Sequence, residues 1–79
     1  MLIWESAGND EPRDQNAVSR LGAHAYWSLG PNDDDTWSVE LIVRTAHGDE
    51  IPEDGFYLGR FGTEDTAKRT AESFERDPR

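Results

Sequence analysis

The chain has 79 residues, with 17 Asp and Glu against 8 Lys and Arg, a formal net charge of −9. Only 34% of its residues are apolar, although three Trp, two Tyr and three Phe are among them. This length points to a single small domain with one core, no run of about 18 apolar residues predicts a transmembrane helix, and the lack of Cys excludes disulfides, a thiol nucleophile and a Cys-based zinc site.

Met1-Leu2-Ile3-Trp4-Glu5 lacks the basic region and long apolar stretch of a signal peptide, so the expected location is cytoplasmic, in a bacterium, an archaeon or an infected cell. Residues 1–20 read as a strand or loop segment. Leu2-Ile3-Trp4 suggests a short edge strand, and Gly8 to Asp14 a polar loop. Asp14 to Leu21 reads as a loop or a short helix, the helix having Asp14 as its cap and Val18 and Leu21 facing inward. From His24 to Leu29, Ala25, Trp27 and Leu29 alternate with His24, Tyr26 and Ser28. From Thr36 to Thr45, Trp37, Val39, Leu41 and Val43 alternate with Ser38, Glu40, Ile42 and Arg44. Period two in β-branched and aromatic residues predicts two half-buried strands, joined through Gly30-Pro31-Asn32-Asp33-Asp34-Asp35 as a hairpin.

A further strand is expected at Phe56 to Phe61, after a connection broken by Pro52 and Gly55. Thr63 then reads as the N-cap of a helix, with Glu64 and Asp65 in the first turn, where the helix dipole favours negative charge. Ala67, Ala71 and Phe74 form an apolar stripe, and Asp77-Pro78 ends the helix. Glu64 with Lys68, Asp65 with Arg69, and Glu72 with Arg76 are spaced for i,i+4 ion pairs. The expected fold is α+β: an antiparallel sheet of three to four strands over residues 23–62, with helix 63–76 on one face. A helix at residues 14–21 would make the order α-β-β-β-α. The expected core is Trp27, Leu29, Trp37, Val39, Leu41, Val43, Phe56 and Leu58 against Ala67, Ala71 and Phe74.

Charge is unevenly placed. Residues 21–59 hold eight acids (Asp33, Asp34, Asp35, Glu40, Asp49, Glu50, Glu53, Asp54) and one base, Arg44, whereas residues 60–79 balance five acids against five bases. Spaced carboxylates of this kind can imitate a nucleic-acid backbone, and Asp33, Asp34, Asp35, Asp49, Glu50, Glu53 and Asp54 are the residues that would do so. They also serve as an ordinary solvated surface. Seven Arg to one Lys with abundant acid suits a high-GC or halophilic genome as well. The same excess argues against direct nucleic-acid binding.

Catalytic and metal signatures are weak. Asn32-Asp33-Asp34-Asp35 lacks the central Gly of a calcium loop, and Trp37 falls where a ligand is required. His24 and His47 lie on different elements without zinc-site spacing, and no Ser stands in a nucleophile elbow. A non-enzymatic protein with no cofactor and no metal is therefore expected. Gly59-Arg60-Phe61-Gly62 matches the KH-domain GXXG pattern but ends a strand, where a KH loop joins two helices. The run from Asp54 to Phe61 is similar to an RNA-recognition-motif aromatic strand, with Asp54 where that motif carries Lys or Arg. Gly62 to Ala71 resembles the last helix of a double-stranded-RNA-binding domain, but Glu64 and Asp65 replace its basic cluster.

Trp4, the Tyr-containing strand, the Trp-initiated strand, then Leu58-Gly59-Arg60-Phe61-x-Thr63 leading to Ala67-Lys68 and Ala71-Glu72, resemble small uncharacterised proteins encoded by actinobacteria and their phages. That resemblance implies a β-sheet with a C-terminal Ala-rich helix and an accessory role for a phage or mobile element. It brings no catalytic or binding residue.

One helix covers one face of a small sheet. His24, Tyr26, Ile42 and Tyr57 carry the parity opposite to the expected core, beside Glu40 and Arg44. Either the N-terminal segment folds over that face through Trp4 or Val18, or the face stays open and binds a protein. Tyr supplies large contact area at low entropy cost, so Tyr26, Ile42, Tyr57 and His24 are the candidate interaction residues. A host protein or a second copy are both possible partners, with no membrane involved. The alternative function is an acidic decoy for a nucleic-acid-binding protein.

Overall fold

Residues 2–77, described by the computed structural model, form five antiparallel strands followed by one helix. The strands are β1 (Glu5–Ser6), β2 (Gln15–Val18), β3 (Ala25–Pro31), β4 (Trp37–Val43) and β5 (Phe56–Phe61), and the helix is α1 (Glu64–Arg76). Each strand pairs with its successor, giving the order β1-β2-β3-β4-β5 in one sheet. None of the described helices is long and apolar enough to cross a membrane.

The long central strands follow the alternation in the sequence. Trp27 lies opposite Leu41 and Leu29 opposite Val39, and all four are buried on the face that α1 covers. The hairpin turn is tighter than expected, because Gly30 and Pro31 continue β3. Asn32 N–H donates to the Thr36 carbonyl at 2.7 Å, and Asp35 takes the left-handed conformation at φ 66°. Gly30 leaves room for the Asp14 side chain, whose Oδ1 would stand 2.5 Å from a Cβ there and would have to move aside.

Three corrections concern the N-terminal quarter. The sheet has five strands, not three to four, and the segment 14–21, expected as a loop or a short helix, holds β2. Gln-Asn-Ala-Val places only small Ala17 in the core, so its alternation is faint, and pairing with the preformed β3 overrides a weak helical pattern. The α-β-β-β-α variant is thereby excluded. The edge strand expected at Leu2-Ile3-Trp4 forms instead at Glu5–Ser6. Leu2 is buried in the core, and Trp4 packs against it on the helix side, with Lys68 Nζ 5.9 Å from its ring centre.

A bulge corrects the parity of β5. Val39 lies opposite Gly59 and Glu40 opposite Tyr57, which leaves Leu58 as an extra residue. Gly59, at φ 116°, accommodates this irregularity. Phe56, Leu58 and Phe61 can thus all turn toward the helix although their numbering breaks strict alternation. Phe56 remains 49% exposed, so its assignment to the core is corrected. It lies on an edge strand and covers Phe74, with the rings stacked at 5.1 Å. Ala17 and Ala25 join the core in its place.

Helix α1 begins as expected, with Thr63 Oγ1 accepting from Thr66 N–H at 3.1 Å. Glu64–Lys68 and Asp65–Arg69 pair at 2.8 and 3.1 Å, whereas among the described residues Glu72 and Arg76 do not. Asp77 caps the C-terminus, and Pro78 lies outside the described residues. The helix end is anchored by Glu75, which the apolar stripe did not indicate. Glu75 Oε1 accepts from Ser19 Oγ at 2.7 Å and Trp27 Nε1 at 2.8 Å, and Oε2 accepts from Arg20 N–H at 2.7 Å. Arg20 also donates to the Glu75 carbonyl at 2.7 Å. Burial alone would raise the Glu75 pKa, but these donors and the Arg20 charge outweigh it and hold the carboxyl below the ordinary range.

Candidate interaction surface

Because α1 lies on one face only, side chains of the other parity form the second face. On β3 and β4 these are Tyr26, Ser28, Ser38, Glu40 and Ile42, and on β2 they are Asn16 and Val18. Val18 lies opposite Tyr26, and Tyr26 opposite Ile42. Continuing the β1–β2 register from Glu5 opposite Asn16 places Ile3 beside Val18. An apolar row therefore runs Ile3–Val18–Tyr26–Ile42 across four chain segments. Ile3 is 73% exposed and Val18 is 83% exposed. Ile3, Glu5, Asn16, Val18 and Tyr26 line an open groove of about 530 Å³ at this end of the face.

The neighbouring row is polar. It runs Glu5–Asn16–Ser28–Glu40–Tyr57 through the same registers. Both tyrosines are oriented through their hydroxyls. Tyr26 Oη accepts from Arg44 Nε at 3.1 Å and Nη2 at 3.0 Å, and the guanidinium carbon lies 5.6 Å from the ring centre. Tyr57 Oη lies 3.1 Å from Ser38 Oγ, which accepts from Asn32 Nδ2 at 2.7 Å. These contacts fix the rings while leaving Tyr57 54% exposed.

The four expected interaction residues are placed unequally. Tyr26 and Ile42 are cross-strand neighbours, and Tyr57 lies one row away, opposite Glu40. His24 is exposed in the turn before β3, at the margin of the face, where its carbonyl accepts from Arg44 N–H. The N-terminal segment does not cover the face. It extends the face, through Ile3 and Val18. Val18 lies outside the expected interaction set because a helical reading of residues 14–21 turns it inward. The alternation Asn16/Val18 against Gln15/Ala17 identifies Val18 once β2 is recognised, and the β1–β2 register then brings Ile3 beside it.

The acidic residues form two groups. Asp33, Asp34 and Asp35 occupy the β3–β4 turn, whereas Asp49, Glu50, Glu53 and Asp54 lie in the β4–β5 connection at the opposite end of β4. Seven-residue β4 separates them by about 20 Å at ~3.3 Å per residue. All seven are exposed. Asp34 pairs with Arg60 at 2.9 Å, and its carboxyl is held low chiefly by the Thr36 hydroxyl and N–H. Among the described residues, no three His, Asp or Glu side chains gather as potential metal ligands.

A second open groove of about 430 Å³ lies on the helix side, lined in part by Leu2, Arg20, Glu72 and Glu75. The Glu75 carboxylate there is already engaged in holding the helix end. Comparison with known proteins gave no family model, no curated protein and no solved structure that matches the chain.

Proposed function

We propose that this chain is a small acidic, non-catalytic interaction domain that binds a protein through its open sheet face. The observation that carries this reading is the apolar row Ile3–Val18–Tyr26–Ile42, two of whose members are more than 70% exposed. Isolated surface apolar residues are ordinary, but a contiguous row beside fixed tyrosines suits a binding patch. The setting as a phage or mobile-element accessory protein acting on a host protein rests on the sequence resemblance. A decoy for a nucleic-acid-binding protein would use the acids instead. Their division into two end groups, with the apolar row on the face between, favours the protein-binding reading.

Affinity capture from an actinobacterial lysate at rising salt tests the proposal, with wild type run beside a Tyr26→Ser/Tyr57→Ser variant. A specific partner should remain bound at about 0.5 M salt, where the screening length is only a few ångströms, and should be lost from the variant. Steep loss of capture with salt, with the variant behaving as wild type, would replace this reading with the acidic decoy.

A further inference from the structure

The open face differs from a plain apolar patch in having charge along one flank. Glu5 and Glu40 lie in the row next to Ile3–Val18–Tyr26–Ile42, about 7 Å along the strands. Both are exposed, and neither carboxylate makes a hydrogen bond or ion pair among the described residues. Arg44 borders the other flank, but its guanidinium already donates to Tyr26 Oη and the Gly48 carbonyl. Beyond it, Asp49, Glu50, Glu53 and Asp54 outnumber that single cation.

We infer that the occupant of this face is a cationic amphipathic segment of another protein, whose apolar side covers the Ile3–Val18–Tyr26–Ile42 row and whose Lys or Arg residues meet Glu5 and Glu40; this rests on the interaction reading above. Three inter-strand spacings of about 4.8 Å make the row about 14 Å long. A helical segment of about ten residues spans that length at 1.5 Å per residue. Covering the row draws water away from the two carboxylates, which is costly unless a cation meets them. A second copy of the chain is the poorer occupant. It brings a net charge of −9 against −9, and a twofold contact would offer the same unpaired carboxylates from both sides.

The test is a titration of the isotope-labelled full chain, followed by amide NMR, with three synthetic amphipathic peptides: Leu/Lys, Leu/Glu and Ser/Lys. The Leu/Lys peptide should shift amides of residues 3, 5, 16–18, 26, 40 and 42 and bind at least about tenfold more tightly than either of the others, a difference of about 1.4 kcal/mol. Ile3→Ser/Val18→Ser and Glu5→Gln/Glu40→Gln should each weaken that binding several-fold, with the dispersed spectrum of the fold retained. Equal binding of Leu/Lys and Leu/Glu would overturn the inference about charge while leaving the interaction face standing. Binding unaffected by Ile3→Ser/Val18→Ser, or shifts confined to the acidic loops, would overturn the inference and the interaction reading together. Concentration-dependent shifts of the same amides without peptide would make a second copy the occupant and overturn the inference. Failure of the Leu/Lys peptide to bind would also overturn it.

Discussion

The two faces of the sheet are built from alternate residues of the same strands, yet they solve opposite problems. On the helix face, Trp27, Leu29 and Val39 are essentially removed from water, and Ala67 and Ala71 let α1 approach closely. Most polar groups on that face are matched to partners: Glu75 takes the Trp27 indole N–H, the Ser19 hydroxyl and the Arg20 amide, and Gln15 donates to Glu64 at 3.0 Å, while the buried Trp4 indole N–H has no acceptor among the described residues. On the open face, Val18 and Ile3 are left to solvent, and Glu5 and Glu40 have no hydrogen-bond or ion-pair partner among the described residues. Burial and hydrogen bonding on one side make the domain stable, which frees the other side from that duty. In a domain of this size the division matters, because only one face contributes fully to the core.

The largest effect on the closed face should come from Glu75. Replacing it with Ala strands three donors and removes a buried acceptor, at a cost of about 3–5 kcal/mol, enough to unfold much of a domain of 79 residues. Glu75→Gln should be intermediate, since its amide N–H would confront the Arg20 N–H. Chemical denaturation monitored by Trp fluorescence reads both, and a midpoint unmoved by Glu75→Ala would show that the anchor contributes nothing. Next comes Phe74→Ala, at about 2–4 kcal/mol. Phe74 is half-buried, edge-on to Trp27 at 5.8 Å and stacked on half-exposed Phe56, so the loss should lie at or below the usual range for a core Phe.

Acid should weaken the same anchor by a smaller, graded amount. The folded pKa of Glu75 is below its unfolded value of about 4.3, so its ionic stabilisation is complete above about pH 5 and is lost as pH falls through the folded value. Glu64 follows the same sign, its carboxyl held low by Lys68 and Gln15. The stability gap between wild type and Glu75→Gln should therefore stay constant from pH 7 to about 5 and narrow below about pH 4. A gap that widens on acidification would contradict the assignment of Glu75 as an ionised acceptor. Comparing variants at each pH removes the general relief of charge repulsion that acid brings to so acidic a chain.

The closed face was mostly legible in the sequence, because large side chains alternating along β3 and β4 leave a strong pattern. The Thr63 cap and two of the three helix ion pairs were legible for similar local reasons. Small core residues carry a weaker signal: Ala25 shares the parity of Trp27 and Leu29, but Ala17 looks like any exposed alanine until neighbouring strands are in register. Glu75 was hidden because a carboxylate on a helix reads as solvated. Its position four residues after Ala71, on the buried stripe, together with a buried Trp needing an acceptor, is the signal that would identify it. The β5 bulge was also hidden, since Gly59 permits it but does not demand it. Tyr26, Ile42 and Tyr57 could be assigned to the open face by parity alone, whereas Ile3 and Val18 depend on long-range pairing that local patterns do not encode.

The most direct test of the two-faced sheet compares adjacent residues of one strand. Ala17 is 2% exposed and Val18 83% exposed, side by side in β2. Ala17→Asp and Val18→Asp add the same charge to the same segment, so general electrostatic effects largely cancel. Urea denaturation of the two variants is the measurement. Ala17→Asp should abolish cooperative folding or cost several kcal/mol through an unpaired buried carboxylate, while Val18→Asp should remain folded within about 1 kcal/mol of wild type. Equal destabilisation by both, or a larger loss for Val18→Asp, would contradict the account, because it would mean that the face carrying Val18 is covered.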